Sequence, residues 1–192
     1  MSSDKAIIKN STRVLTPIEY EKLRIQLNPV YQAICDVLLH TGMRMPEFWE
    51  LIRHQDWYDA KRRCIELPTK VIKKAKTVYK HRQVNLNIAG CEAVEHLFKV
   101  NPKRVSRQSM TGVLCLAARN AQLADLDKGI APKMFRKTII SWLMKCYPEK
   151  MFEIAGSAGH TFNIMQINYT NLSFQKPDIE DMRKFLKGWG EA

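Results

Sequence analysis

Between Arg62 and Asn87 the hydrophobic pattern of this chain changes period, and that change bounds the folds open to it. In "RRCIELPTK" the residues Cys64, Ile65 and Leu67 are strand-like. In "TVYKHRQVNLN" the positions Val78, Lys80, Arg82, Val84 and Leu86 follow a two-residue repeat. The stretch between them is cationic, so the pair reads as a small hairpin with a basic loop. On both sides apolar residues recur every three to four positions. "LTPIEYEKLRIQL" carries a helix start, with Thr16 as N-cap, Pro17 at the first helical position and Glu19 completing a capping box. "PVYQAICDVLLHTG" reads as a buried helix with Leu38 and Leu39 on its apolar side and Gly42 as its stop. "MPEFWELIRH" is a third, short helix with Pro46 early and Glu47 in the first turn. After Gly90 the helical spacing returns in "CEAVEHLFKV", "SMTGVLCLAARNAQL" and "PKMFRKTIISWLMKCY". Pro148 opens a further short helix expected to end before Gly156. "FNIMQINYT" and "DIEDMRKFLKGW" follow as helices, the latter capped by Asp178 and stopped at Gly188. The fold class is therefore mainly α with a small antiparallel β-sheet (α+β).

A chain of 192 residues, 45% of them hydrophobic, suits one domain of ordinary size with a real core. No apolar run approaches the ~18 residues of a membrane span, and "MSSDKAIIKN" lacks a signal-peptide core. The expectation is a non-secreted, cytoplasmic protein without membrane partners. Cys35, Cys64, Cys91, Cys115 and Cys146 are irregularly spaced and odd in number. They form no CxxC motif, which points to reduced, mostly buried thiols and to no metal site. A Gly-rich phosphate loop is also missing.

The charge balance says more. Thirty-one Lys and Arg against nineteen Asp and Glu give a net +12. Lys70 to Arg82 holds seven basic residues and no acid, and "NPKRVSRQ" adds three more. These cations interleave with Val, Ile and Tyr. They read either as a solvated face or as a surface that tracks a nucleic-acid backbone, with Lys73, Lys74, Lys80 and Arg82 as candidate DNA contacts.

Several residues suit phosphodiester chemistry without a metal or any other cofactor. Arg44 follows "HTG" at a junction of two helices, and Lys76 sits in the basic hairpin. "KMFR" puts Lys133 and Arg136 on one side of a helical turn. His160 and Tyr169 lie nine positions apart in "AGHTFNIMQINYTNLSF". Two guanidiniums can clamp the oxygens of a phosphorane, a phenol can attack it, and a lysine can protonate the leaving alkoxide. Tyr169 has two readings on these grounds: a half-buried aromatic with a wet hydroxyl, or that nucleophile.

Four segments, in order, resemble the boxes of the tyrosine recombinases, the phage-type integrases. "LLHTGMRMPEFWEL" is similar to the first-arginine box. "AKTVYKHRQVNL" is similar to the lysine hairpin, with Asn85 in place of the usual proline. "PKMFRKTIISWLM" is similar to the H-x-x-R box, with Lys133 in place of the usual histidine. "AGHTFNIMQINYTNL" is similar to the final box, in which a tyrosine follows Gly-His by nine residues. The K-x-x-R form and "YTNLSF", followed by a helix ending in Gly-Trp, resemble integrases of archaeal viruses and plasmids.

The resemblance implies a catalytic domain over residues 15–174, preceded by an extension or linker (1–14) and followed by a helical tail (175–192). It implies a DNA strand transferase independent of metal and ATP. Such an enzyme cleaves and rejoins double-stranded DNA through a 3′-phosphotyrosine on Tyr169, with Arg44, Lys76, Lys133, Arg136 and His160 around the phosphate. His160 would also accept the Tyr169 proton. Lys73, Lys74 and Lys80 compete with Lys76 for the acid role. The implied partners are DNA and further copies of the chain, as a tetramer on DNA. Two other activities remain: DNA relaxation of the type IB topoisomerase kind, and DNA binding by a catalytically decayed relative. The stripe Ile179, Met182, Phe185, Leu186 and Trp189 buries itself either on its own domain or, as the resemblance suggests, on a neighbouring protomer.

Overall fold

Local capping chemistry sets the first helices of the computed structural model, which describes residues 5–68, 81–126 and 128–191. Helix α1 (Pro17–Arg24) starts with the expected capping box between Thr16 and Glu19. Helix α2 (Pro29–Thr41) ends at Gly42, which is left-handed at φ 57°. Helix α3 (Met45–Arg53) begins immediately after Arg44. Strands β3 (Tyr58–Asp59), β4 (Cys64–Pro68) and β5 (His81–Asn85) form one antiparallel sheet in the order β3-β4-β5. The β4–β5 register pairs Ile65 with Val84 and Leu67 with Arg82. Helices α4 (Ile88–Val100) and α5 (Arg107–Asn120) follow. Then come α6 (Lys133–Cys146), α7 (Met151–Ala158), α8 (Phe162–Tyr169) and α9 (Lys176–Phe185). The fold is mainly α with small antiparallel sheets.

Helix α6 is the centre of the molecule. Its buried residues run almost all the way round, from Met134 to Cys146, as expected of a helix enclosed on every side. It packs against α2, α7, α8 and α9. Two of its buried side chains, Arg136 and Lys137, are cations.

One element adds to the sequence reading and two depart from it. Residues 1–14 were expected as an extension or linker. Within them, β1 (Ile7–Lys9) and β2 (Thr12–Val14) form a second antiparallel hairpin. The adjoining Leu15 fastens it to α6: its N–H donates to Thr138 Oγ1 (2.9 Å), and its carbonyl accepts from Trp142 Nε1 (2.8 Å). The helix after Pro148 does not end before Gly156. Pro148–Lys150 is a single 3₁₀ turn, and α7 runs through Gly156 to Gly159, whose φ of 62° makes it the left-handed stop. Helix α9 is capped by Gln175. Asp178 sits three residues in, accepting the Gln175 N–H at 2.9 Å.

The C-terminal stripe packs on its own domain. Met182, Leu186 and Trp189 are buried, α9 lies against α1 and α6, and Trp189 Nε1 donates to the Asn85 carbonyl (3.1 Å). Asn85 N–H also donates to Ser157 Oγ (3.1 Å). A proline at that position has no N–H to give, so the departure from the expected box has a structural use. All five cysteines are unpaired. Among the described residues no helix is long and apolar enough to cross a membrane.

Candidate active site

The α2–α3 junction supplies the first cation. Gly42 turns the chain in a left-handed conformation, and a Cβ there would meet Ile139 Cγ2 of α6 at 3.0 Å. Arg44 follows on that tight junction. Its backbone N–H donates to Glu47 Oε2 (2.8 Å) and its Nη1 to Glu47 Oε1 (2.9 Å). The Arg44 side chain is 37% exposed, which leaves guanidinium donors facing solvent.

Glu47 is the anionic hub of the site, with its side chain 1% exposed. Besides Arg44 it takes both terminal nitrogens of Arg82, at 2.7 Å (Nη2 to Oε2) and 3.3 Å (Nη1 to Oε1). Burial alone would push its carboxyl up. Arg82, the Arg44 N–H, Arg136 and the Arg44 charge outweigh burial and hold it below the ordinary value. Arg82 was expected on the DNA-facing surface. It lies inside instead, in the same phase of β5 as Val84 and directly opposite Leu67. Its work is to brace Glu47 and, through Nη1, to reach the Ala158 carbonyl (3.5 Å) at the end of α7.

Helix α6 brings Arg136 to the same point. Its Nη1 donates to the Gly42 carbonyl (2.7 Å), and its Nη2 donates to the Ala158 carbonyl. One guanidinium thus ties the α2–α3 junction to the end of α7. Burial, with the like charges of Arg82 and Arg44, lowers its pKa to about 10. Gly159 then turns the chain against Arg82, where a Cβ would meet Arg82 Cδ at 2.9 Å. His160 follows, and its Nε2 lies 3.0 Å from Arg136 Nη2. A guanidinium only donates, so Nε2 accepts and the neutral ring carries its proton on Nδ1. Burial, then Arg136, Arg44, Arg82 and Lys137, push the His160 pKa down to about 3. With its lone pair engaged and its basicity suppressed, His160 in this arrangement is a poor acceptor for the tyrosine proton.

Tyr169 closes the site from the last position of α8. It is 8% exposed, and its ring stacks on His160 with centroids 5.5 Å apart and planes at 28°. Lys137 Nζ lies 4.8 Å from its ring centroid. Burial raises the phenol pKa, and the charges of Arg136 and Arg44 pull the other way. The end of α8 is also held by the β1–β2 hairpin. Lys9 Nζ donates to the Thr170 carbonyl (3.1 Å), and Asn10 Nδ2 to Asn168 Oδ1 (2.8 Å).

Four of the expected residues, Arg44, Arg136, His160 and Tyr169, therefore come together from segments far apart in sequence. Lys133 stands at the rim of this group. It is exposed, and its Nζ contacts the Ser11 carbonyl (3.4 Å). Lys73, Lys74, Lys76 and Lys80 lie outside the described residues. The "NPKRVSRQ" run reappears beside the site. A depression of about 420 Å³ is lined by Arg104 and Arg107 together with Arg44 and Lys133. Three residues that join the site were not picked out as site residues in the sequence. Glu47 carried a signal, one helical turn beyond Arg44. Lys137 and Lys9 carried none.

The architecture is similar to that of the crystal structure of XerA recombinase, with a TM-score of 0.62 and 15% sequence identity. The likeness covers 96% of this chain and 65% of that one, so this chain spans less than two thirds of its length. At that identity the likeness establishes a shared fold. No protein-family model and no curated protein matches the sequence.

Proposed function

We propose that this chain is the catalytic domain of a site-specific DNA recombinase of the tyrosine type, cleaving and rejoining double-stranded DNA without metal or ATP. One observation carries the proposal. A phenol that ends a helix is enclosed by an imidazole and by a buried arginine, with a second, half-open arginine beside them. In this reading the scissile phosphate enters at Arg44 and Arg136, whose planar donors hold its non-bridging oxygens. The Tyr169 oxygen attacks phosphorus, passing its proton to His160 once the phosphate has drawn Arg136 away from Nε2, and a P–O bond to tyrosine forms as the P–O5′ bond breaks. Lys76 of the basic hairpin protonates the leaving 5′-oxygen. The phosphate also competes with His160 for the Arg136 donors. Its negative charge then offsets the surrounding cations and restores His160 as a hydrogen-bond partner for substrate. The 3′-phosphotyrosine ester conserves the bond energy for a second 5′-hydroxyl to recover. Arg104, Arg107 and Lys133 line the adjoining path of the backbone, where cations bind phosphate irrespective of sequence. Assembly of several copies on DNA, as a tetramer, and an origin among archaeal viruses or plasmids belong to the same proposal.

The cis packing of α9 favours one second reading, DNA relaxation of the type IB topoisomerase kind, in which one protomer cleaves and reseals a strand alone. The test is incubation with a nicked suicide duplex that loses its 5′-hydroxyl fragment after cleavage. The proposal expects a covalent, protease-sensitive protein–DNA band that Tyr169→Phe abolishes while DNA binding persists. Mobility shift without any covalent band overturns it in favour of a binding protein. Relaxation of supercoiled DNA by monomer, without strand exchange between duplexes, selects the second reading.

A further inference from the structure

Lys137 is the one strongly buried lysine among the described residues, at 8% exposure, and the phosphodiester chemistry above does not use it. It follows Arg136 on the central helix α6, where buried lysines ordinarily carry a carboxylate partner. Among the described residues no carboxylate forms an ion pair with it. What it faces is the Tyr169 ring, 4.8 Å from ammonium to centroid. The other charged neighbours are Lys9 of β1 and Lys133 of α6, which repel it; Arg136 precedes it on α6, and His160 across the site is neutral. An ammonium over an aromatic face is a directional attraction that favours one ring placement. The same ring is bounded by His160 through stacking. The hairpin bonds to Asn168 and Thr170 fix the helix end but do not touch the ring.

We propose that Lys137 is a positioning residue for Tyr169: its ammonium seats the phenol ring against His160 and Arg136, so that the hydroxyl is held in line for the phosphate. The inference rests on Tyr169 being the nucleophile, and it adds a determinant outside the residues that contact substrate. Burial, with Lys9 and Lys133, lowers the Lys137 pKa to about 8. The seat is therefore fully formed below that pH in the DNA-free protein and weakens as pH rises through it.

Two measurements on the full chain test this. The first needs no catalysis. Ring ¹H–¹³C correlations of ¹³C-labelled tyrosine, assigned through Tyr169→Phe, are followed from pH 6 to 10. The Tyr169 ring signal is expected to titrate with a midpoint near 8, and the step is expected to vanish in Lys137→Met. A Tyr169 ring that does not titrate in that window, or titrates identically in Lys137→Met, overturns the proposal whatever the protein does to DNA. The second measurement is single-turnover cleavage of the suicide duplex at saturating protein. Lys137→Met is expected to slow cleavage about tenfold or more, with DNA affinity unchanged. Lys137→Arg, whose guanidinium also sits on aromatic faces and stays charged, should recover most of the rate and keep it at alkaline pH. Equal loss in the Met and Arg variants, or a loss of DNA affinity in step with rate, overturns the positioning role. Absence of covalent product in the wild type itself, with the ring titration intact, refutes the recombinase reading and leaves the Lys137–Tyr169 contact standing.

Discussion

Replacing Glu47 by Gln probes the electrostatic hub of the site, because the amide keeps the carboxylate's shape but removes its charge and turns one acceptor oxygen into a donor. Arg82, 1% exposed at its side chain, then loses the anion that both of its terminal nitrogens contact. Arg44 and Arg136 remain nearby as like charges. Removing one partner of a buried pair in this way costs about 3–5 kcal/mol, since the remaining charge stays buried and uncompensated. For a domain of this size each kcal/mol moves Tm by about 2–4 °C, which gives a drop of roughly 6–20 °C. Thermal unfolding followed by circular dichroism at pH 7 reads this directly. The pH dependence supplies an internal control. The folded Glu47 carboxyl lies below its ordinary value of 4.5. Its stabilisation is therefore complete above pH 4.5 and drains away as pH falls through the folded value. The Tm gap between wild type and Glu47→Gln should accordingly be widest near neutrality and close in acid. Glu47→Gln/Arg82→Met, which removes both charges, should recover part of the loss. A Tm for Glu47→Gln within about 2 °C of wild type at pH 7 would refute the assignment of Glu47 as the hub. So would a gap that widens in acid.

Three further outcomes follow from the geometry. Arg136→Lys keeps the charge but loses the fork that joins the Gly42 carbonyl, the Ala158 carbonyl and His160. Single-turnover cleavage should fall by about 10²-fold or more if Arg136 acts as a lost oxyanion donor does. Lys9→Ala combined with Asn10→Gly removes the two side-chain bonds from the hairpin to the end of α8, and glycine suits the positive φ of residue 10. Hydrogen exchange should then accelerate over residues 165–170 while α6 stays protected. Trp189→Ala empties a buried site against Tyr147 and the Asn85 carbonyl. It should cost about 3–5 kcal/mol in the isolated monomer by chemical denaturation, whereas a tail that docked only on a neighbour would leave monomer stability unchanged.

What was legible in the sequence was what local chemistry fixes. The Thr16–Glu19 capping box and the left-handed stop at Gly42 depend on residues within one or two turns, and both formed where expected. The β1–β2 hairpin escaped because its strands are three residues each, too short to show a period. Its turn rests on positive φ at Asn10 and Ser11, and only the first of these is a residue that favours it. Gly156 read as a stop, although a helix tolerates glycine where nothing crowds it. Gly159 was the true stop, set by Arg82 lying against it. Arg82 shows how a charge count misleads. The alternation that identified β5 already placed Arg82 in phase with Val84 and Leu86, on the buried face. Its partner Glu47 lies thirty-five residues earlier, out of reach of any local pattern. The Lys137–Tyr169 contact is of the same kind, made by the packing of α8 on α6 and not by spacing.

Mapping the covalent bond tests the central proposal most directly. The protein–DNA adduct trapped on a suicide duplex is digested with protease and nuclease, and the nucleotide-bearing peptide is sequenced by mass spectrometry. The account predicts a 3′-phosphonucleotide on Tyr169, in the peptide that contains "FNIMQINY". A nucleotide carried by Tyr147 or any other residue, or a wild-type protein that binds the duplex and never forms the bond, would contradict it.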